Sequence, residues 1–145
     1  MDKSSARKVV EQFCDELHRA LTGEAVNPFL LLHQDIEFRH PDIGLMKGAS
    51  EVSDRVSAAI AKLWKIGPDC GFYPMEFIEE GDQVAVASMS HSEGRSTGDP
   101  YNNTYFFLMK VKDGKITYFH ESLDSSVVER SGFDKHIEGN VRYPR

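Results

Sequence analysis

The sequence predicts an α+β fold, in which helices from the first half of the chain pack on an antiparallel sheet formed by the second half. In the first 65 residues the apolar positions recur mostly at helical spacing, whereas from Phe72 onward they alternate with a period of two. The pair Asp113-Gly114 joins two alternating segments, which is the strongest short-range signal of a β-hairpin. Helices followed by hairpins are typical of the α+β class.

The composition is that of one ordinary globular domain, with 145 residues, 40% hydrophobic and 28% charged. The net charge of −6 argues against binding to nucleic acid or to an anionic membrane, because both need a basic surface. No segment is apolar enough to span a membrane or to act as a signal peptide. Cys14 and Cys70 are too few for a disulfide framework, so we expect a cytoplasmic protein.

The first half contains two predicted helices and one predicted strand. Ser4 or Ser5 can cap a first helix that runs to about Thr22, and residues 28–32 form one or two helical turns. Residues 36–40 alternate as a short strand that Pro41 ends. A second helix runs from Ser50 to residue 64 or 65, where Gly67-Pro68 terminates it.

The second half is predicted to form two hairpins. Residues 72–80 and 83–92 pair around Gly81-Asp82, residues 93–100 form a loop, and two further strands flank Asp113-Gly114. Val127 and Val128 are expected to continue the last strand briefly. The prediction is therefore one domain over residues 1–128 and a C-terminal tail, residues 129–145, that serves as a lid or a dimer contact or is disordered.

A two-residue turn at Asp113-Gly114 fixes the pairing of its strands, so Lys112 faces Lys115 and Phe107 faces His120. Because side chains alternate faces, six residues at the far end of the hairpin share one surface, and apolar residues continue it toward the turn. A surface that is half polar and half apolar is typical of a pocket wall. The polar members are Tyr101, Asn103, Tyr105, His120, Ser122 and Asp124, and Phe107 and Tyr118 are among the apolar ones.

The hairpin also resembles a known family. The run G-D-P-Y-x-N-x-Y, an apolar strand, D-G-K-I and then E-x-x-D is similar to the SnoaL-like polyketide cyclases of the nuclear transport factor 2-like, or ketosteroid isomerase-like, superfamily. An upstream strand followed by His40-Pro41 and Lys47-Gly48 fits as well. The matching hairpin residues are Gly98, Pro100, Tyr101, Asn103, Tyr105, Asp113, Gly114, Lys115, Ile116, Glu121 and Asp124.

The resemblance implies a cone-shaped α+β barrel, with a curved, mostly antiparallel sheet wrapped around N-terminal helices and an enclosed pocket. Members of the superfamily include isomerases, cyclases, epoxide hydrolases, dehydratases and binding modules without chemistry. In cyclase-like members an acidic residue on the last strand often acts as acid or base, and Asp124 matches that position. The chain departs from the Glu-His-Trp run of some cyclases, since Phe119 stands in place of the histidine.

Asp124 is the residue expected to act as the catalytic acid or base, because a carboxylate at a pocket wall has its pKa raised toward the working range. Asn103 would orient it or donate to a developing oxyanion. The alternative is that Asp124 only caps the turn that follows it. His120 is the second catalytic candidate, as a proton shuttle near neutral pH, with a structural histidine as the alternative.

The substrate-binding candidates lie around these residues. Tyr101 and Tyr105 offer phenol donors, or they pack as rim aromatics. His40 is expected to complete the mouth of the pocket, unless it is only a loop residue ahead of a proline. Three residues of the predicted pocket face, Ser122, Phe107 and Tyr118, complete this set.

Glu121 matches the family pattern but has the wrong parity for the pocket face. A β-bulge in the last strand would turn its side chain inward. Without a bulge, Glu121 lies opposite Phe106 on the other face of the hairpin and makes a structural contact there. The sequence leaves the direction of this side chain open.

No motif in the sequence indicates a metal or a cofactor. The six histidines are scattered singly, no glycine-rich turn opens a βαβ unit, and no nucleophile motif is present. We therefore expect a cofactor-independent enzyme that moves protons on a small, apolar, oxygenated substrate such as a polyketide or terpenoid. The alternative is a non-catalytic module of the same fold that binds a small molecule or dimerises, and a homodimer is expected in either case.

Overall fold

The structure is a computed structural model that describes residues 3–131. It confirms the predicted α+β fold, with three helices and a curved, unclosed sheet of seven strands. Its elements are α1 (Ser5–Leu21), a short 3₁₀ helix (Pro28–Leu31), β1 (Leu32–His40), β2 (Gly44–Lys47), α2 (Ala49–Leu63), β3 (Gly71–Glu80), β4 (Gln83–Glu93), β5 (Pro100–Tyr101), β6 (Thr104–Lys112), β7 (Lys115–Leu123) and α3 (Ser125–Ser131).

The helix boundaries follow from local capping chemistry. The Ser4 hydroxyl accepts a hydrogen bond from the backbone N–H of Arg7 at 3.1 Å and so begins α1, as the sequence predicts. Val10, Phe13 and Cys14 form the buried stripe of this helix, which faces the sheet. The first helix is therefore stabilised by the packing of its apolar face on the sheet and by the hydrogen bond that caps its N-terminus.

The sheet has the strand order β2-β1-β7-β6-β4-β3, and β5 pairs with β4 outside this path. All neighbouring strands are antiparallel except β1 and β7, which run parallel. The strand β2 was not predicted, because its four residues are too short to show a period. It pairs with the end of β1 and holds the chain near Pro41 in a tight reversal.

Phe119 of β7 lies at the centre of the core, where both layers meet. Its ring stacks on Phe38 of β1 at a centroid distance of 4.4 Å and contacts Phe107 of β6 at 4.8 Å. Phe13 of α1 meets the same ring edge-on at 5.4 Å. One buried aromatic thus joins the helix to three neighbouring strands.

A β-bulge in β7 makes the predicted hairpin register wrong beyond the first two pairs. Lys112 pairs with Lys115 as predicted, but Lys110 pairs with Tyr118, so Thr117 is an extra residue. Every later residue of β7 is therefore shifted by one position, and Phe107 lies opposite Glu121 instead of His120. Because side chains alternate with period two, a shift by one reverses the faces of β7 from Tyr118 onward.

The chain after β7 also differs from the prediction. Val127 and Val128 belong to the helix α3 and do not continue the strand. This helix crosses the predicted domain boundary at residue 128. The rest of the predicted tail, residues 132–145, lies outside the described residues, so its role as a lid, dimer contact or disordered segment stays a prediction.

We expect Phe119→Ala to lower the free energy of unfolding by about 3–5 kcal/mol, because it leaves a cavity where four aromatic rings meet. The neighbouring variant His120→Ala removes an exposed side chain and should change stability by no more than about 0.5 kcal/mol. Urea unfolding of both variants measures the difference. Equal losses would contradict the placement of Phe119 on the inner face of β7 and of His120 on its outer face.

Candidate functional site

A cavity of about 100 Å³ lies between the helices and the inner face of the sheet. Most of its wall is apolar, and much of that is aromatic, from Phe38, Phe72, Phe107 and Trp64 among others. Its polar side chains come from the end of β1 and the turn after it, and from β5, β6 and β7; they are His40, Asp42, Tyr101, Tyr105 and Glu121. An apolar pocket with a few convergent polar groups is the common form of a small-molecule site.

His40 and Glu121 form the central polar contact of the cavity. The parallel register pairs Arg39 with His120, so the next residue of each strand points inward beside the other. His40 Nε2 lies 3.0 Å from Glu121 Oε2, and each side chain is only 13% exposed. The bulge at Thr117 is what brings the carboxylate of Glu121 to this face.

Backbone geometry fixes the proton on His40. Its Nδ1 accepts hydrogen bonds from the backbone N–H groups of Asp42 at 3.1 Å and Ile43 at 3.2 Å. Nδ1 accepts these bonds only through its lone pair, so the neutral ring carries its hydrogen on Nε2 and donates it to Glu121. The imidazole is therefore held as a donor toward the carboxylate.

Two opposing effects act on the protonation of this pair. Burial disfavours a positive charge on His40, but the charge of Glu121 and its hydrogen bond raise the pKa of the imidazole above its ordinary value. A second ring proton would have to enter at Nδ1 and break both backbone hydrogen bonds. These two bonds therefore oppose a second proton on the imidazole, whereas the charge of Glu121 favours one.

Two phenols form the rest of the polar wall. Tyr105 and Ser90 share a hydrogen bond of 2.9 Å between their hydroxyl oxygens, and Tyr101 accepts one from the Asn103 amide at 3.1 Å. Burial raises the pKa of Tyr101 to about 12 and that of Tyr105 well above its ordinary value, with the charge of Glu121 adding to both. Both phenols therefore stay protonated and serve as donors, not as bases.

Asn103 is buried, and its amide makes four hydrogen bonds. The Nδ2 group donates to the phenol oxygen of Tyr101 at 3.1 Å and to the carbonyl of Asp124 at 3.2 Å. Its Oδ1 accepts from the backbone N–H groups of Thr104 at 2.8 Å and Asp124 at 3.0 Å. The side chain predicted to assist catalysis instead joins a cavity phenol to the start of α3.

The structure places Asp124 in solvent, so the predicted position of this carboxylate in the pocket wall is wrong. Its Oδ1 accepts from the backbone N–H of Ser126 at 2.9 Å and from the Ser126 hydroxyl at 2.7 Å. These bonds lower the pKa of Asp124, the opposite of the expected rise. Asp124 caps the helix α3, the alternative that the sequence left open.

Three other predicted pocket residues point away from the cavity because of the β-bulge in β7. The bulge turns Tyr118, His120 and Ser122 onto the outer face of the sheet, where His120 and Ser122 are exposed. Tyr118 lies there beneath the ammonium group of Lys110, 5.0 Å from the ring centre. In contrast, the predicted residues Tyr101, Tyr105, Phe107 and His40 do line the cavity.

Sequence reasoning missed the role of Glu121, although two signals pointed to it. Glu121 belongs to the E-x-x-D part of the family pattern, and a bulge in the last strand is the condition under which its side chain turns inward. Asp42 was missed altogether, because it follows a proline in an apparent loop. Among residues 3–131, no three His, Cys, Asp or Glu side chains are grouped as ligands for a metal ion.

The described helices include none that is long and apolar enough to cross a membrane.

Comparison with protein families finds that the model of the SnoaL-like domain matches residues 10–119. No curated protein matches the chain.

Several solved structures share the fold. An NTF2-like protein of unknown function from Burkholderia pseudomallei is 20% identical, with a TM-score of 0.73, covering 89% of this chain and 98% of that one. A ketosteroid isomerase-like protein from Catenulispora acidiphila, in complex with trimethylamine, is 19% identical, with a TM-score of 0.68 and coverages of 83% and 92%.

A third structure, TerC co-crystallised with polyporic acid, is 18% identical, with a TM-score of 0.71, covering 88% of this chain and 98% of that one. Identities this low show a common fold and nothing about chemistry. The fold is thus confirmed independently of the site, and the site must be argued from its own residues.

We expect Asn103→Asp to destabilise the protein by about 3 kcal/mol at neutral pH, because a buried carboxylate replaces the amide donor that serves Tyr101 and the Asp124 carbonyl. The neighbouring variant Asn102→Asp makes the same change at an exposed site and should stay within about 0.5 kcal/mol of the parent.

The pH dependence of that loss has a definite sign. Burial raises the folded-state pKa of an aspartate at position 103 above its unfolded value of about 3.9. The variant's stability is therefore retained below about pH 4 and lost as the pH rises through the folded-state pKa. Urea unfolding between acid and neutral pH measures this, and a loss that does not change with pH would contradict the assigned hydrogen bonds.

Proposed function

Because this chain belongs to the SnoaL-like domain family, we propose that it is a cofactor-independent acid/base enzyme of the isomerase or cyclase kind. Its substrate is a small, uncharged carbonyl compound. The observation that carries this proposal is the pair of Glu121 and His40 on the wall of an otherwise apolar cavity. A shielded carboxylate beside fixed donors is what proton abstraction next to a carbonyl requires.

Glu121 is the proposed general base. Its carboxylate removes a proton from the carbon next to the substrate carbonyl, and the electrons of that C–H bond move onto the carbonyl oxygen. With an unsaturated carbonyl substrate, the protonated Glu121 returns the proton to the far carbon of the conjugated dienolate and so shifts the double bond. With a dicarbonyl substrate, the enolate carbon attacks the second carbonyl and closes a ring, and the protonated Glu121 gives its proton to the alkoxide that forms. His40 acts as a positioning residue, because its Nε2–H holds one carboxylate oxygen at 3.0 Å.

Tyr101 is the proposed donor to the oxygen that becomes negative. It lies in the cavity wall, stays protonated at working pH, and is oriented by the Asn103 amide. A phenol donor fixed by the protein stabilises an enolate without reorganising in the transition state. The hydrogen bond between the hydroxyl groups of Tyr105 and Ser90 adds a second polar contact to this part of the cavity wall.

The charges of the cavity restrict the substrate class. The lining within residues 3–131 includes the carboxylates of Asp42 and Glu121 and contains no lysine or arginine. These two carboxylates would repel an anionic substrate. The cavity volume of about 100 Å³ is below the roughly 300–1,000 Å³ of drug-sized sites, which favours a compact substrate.

A non-catalytic binding module is the second candidate, favoured by the predominance of apolar and aromatic side chains in the cavity. The relatives solved with trimethylamine and with polyporic acid support a small-molecule ligand in either case. The two candidates differ in one respect. A binding module holds its ligand without exchanging the ligand's protons, whereas the proposed enzyme exchanges them.

The test is deuterium exchange from heavy water into the carbons next to the carbonyl of a panel of small cyclic ketones, followed by NMR. We expect catalysed exchange with the parent protein and a rate lower by about 10²–10⁴-fold in Glu121→Gln, which keeps the shape but removes the base.

Asp124→Asn is the matched comparison for Glu121→Gln, since it makes an equivalent change on the same part of the chain. We expect it to keep the exchange rate, because the Asp124 carboxylate lies in solvent. Loss of exchange in Asp124→Asn with retention in Glu121→Gln would reverse the assignment. Ketone binding without exchange by the parent protein would favour the binding module.

Tyr101→Phe tests the oxyanion donor separately. It removes one hydroxyl from the cavity wall and should reduce the rate of exchange by about 10²-fold. The maximal rate should fall more than the apparent affinity for the ketone, because the hydrogen bond strengthens only as the enolate forms. An effect on affinity alone would limit Tyr101 to substrate binding.

A further inference from the structure

The wall of the cavity contains more acidic than basic groups. Asp42 and Glu121 belong to its lining, which within residues 3–131 includes neither lysine nor arginine. His40 supplies one positive charge at most, and its Nε2 already lies 3.0 Å from Glu121 Oε2. When both carboxylates are ionised, the lining is therefore negative overall, whatever the protonation state of the imidazole.

The two carboxylates act on the same polar groups of the cavity. Burial lowers the pKa of His40, whereas the charge of Glu121, its hydrogen bond and the charge of Asp42 raise it. Burial raises the pKa of Tyr101 to about 12, and the charges of Glu121 and Asp42 add to that rise. His40 lies at the end of β1 and Tyr101 on β5, so the negative potential extends over the whole polar part of the wall.

The rest of the wall is aromatic to a large extent. Trp64 and Tyr101 line the cavity with their ring centroids 5.0 Å apart and their planes tilted by 55°. Phe72 and Phe107 add a second pair of rings, which stack at 5.5 Å. The face of an aromatic ring attracts a positive charge, most strongly in tryptophan, and groups of such rings recognise quaternary ammonium ligands.

We propose that this cavity binds a small methylated ammonium ion, the cation of a tertiary or quaternary amine. Its positive charge lies beside Asp42 and Glu121, and its methyl groups pack on the aromatic rings. The site is the cavity of the proposed function, but cation binding is independent of the proposed proton transfer. A cation that has no carbonyl group offers no acidic C–H bond to Glu121, so it competes with the ketone without reacting.

The composition of the wall favours methylated ammonium over other cations. Magnesium and calcium ions take about six or more oxygen ligands, and residues 3–131 contain no group of three His, Cys, Asp or Glu side chains placed for a metal ion. The hydrogens of an unsubstituted ammonium ion each need an acceptor, which a mostly apolar wall provides poorly. Methyl groups replace these hydrogens by carbon atoms that pack against the rings.

Charge also favours a cation over a neutral molecule of the same shape. The side chain of Glu121 is only 13% exposed, and a carboxylate that loses hydration is costly unless a positive charge compensates for it. A neutral ligand displaces water from the cavity and brings no such compensation. The cavity volume of about 100 Å³ is small beside drug-sized sites, so the favoured cation is compact.

The fluorescence of Trp64 tests the proposal, because it is the single tryptophan of the chain and lies in the cavity wall. Tetramethylammonium chloride is the probe, and sodium chloride at the same ionic strength is the reference. tert-Butyl alcohol has nearly the same tetrahedral shape and no charge. We expect a saturable change with tetramethylammonium and an affinity at least about 10-fold higher than for the alcohol.

Two variants test the role of the carboxylates. Asp42→Asn and Glu121→Gln each remove one negative charge and should weaken tetramethylammonium binding about 10-fold. Both should bind tert-butyl alcohol within about 2-fold of the parent, which shows that the cavity is intact. The control Asp82→Asn makes the same change at an exposed turn between β3 and β4 and should bind the cation like the parent. Circular dichroism verifies that each variant is folded, and either cavity variant suffices if the other fails to fold.

Three results would overturn the proposal: no saturable response to tetramethylammonium, equal affinities for the cation and the alcohol, or unchanged cation binding in both cavity variants. None of these measurements uses ketone exchange. A parent protein that exchanges ketone protons without binding the cation would refute only cation binding. One that binds the cation but exchanges no ketone protons would refute only the proposed enzyme.

Discussion

The extra residue Thr117 determines which side chains of β7 reach the interior, and both surfaces of the sheet depend on it. Before the bulge, Ile116 faces the core; after it, Phe119 and Glu121 do, while His120 faces outward. Successive side chains of a strand point to opposite faces of the sheet. One inserted residue therefore moves every later side chain of the strand to the other face. Because of this one extra residue, Phe119 lies in the core, Glu121 lies at the cavity and His120 lies on the opposite face of the sheet.

The position of Glu121 also explains how a carboxylate is tolerated in an apolar wall. Removing a charge from water costs several kcal/mol unless a partner compensates for it. The partner is His40, which is itself held by the backbone N–H groups of Asp42 and Ile43 in the reversal between β1 and β2. The short strand β2 thus contributes to the site indirectly, because it fixes the turn that orients the imidazole.

The fold could be predicted from the sequence because its signals are spread over many residues, whereas the site depends on one local irregularity. The apolar stripe of α1, the alternation of β3 to β7 and the turn at Asp113-Gly114, where both residues have positive φ, all agree. A turn fixes the register only of the pairs next to it, and nothing in the letters around Thr117 identifies it as the extra residue. An error of one position then misplaces every polar side chain that follows, including His120, Ser122 and Asp124.

This contrast has a chemical consequence for Asp124 and Glu121, which are only three residues apart. Both carboxylates belong to the E-x-x-D part of the family pattern, but their surroundings differ completely. Asp124 accepts hydrogen bonds from the start of a helix in solvent, and Glu121 accepts one from a fixed imidazole inside an apolar cavity. Only the second environment lets a carboxylate act on a carbon acid, because water there does not compete for its lone pairs. In the proposed function, the identity of the base therefore depends on which face of a single strand each carboxylate occupies.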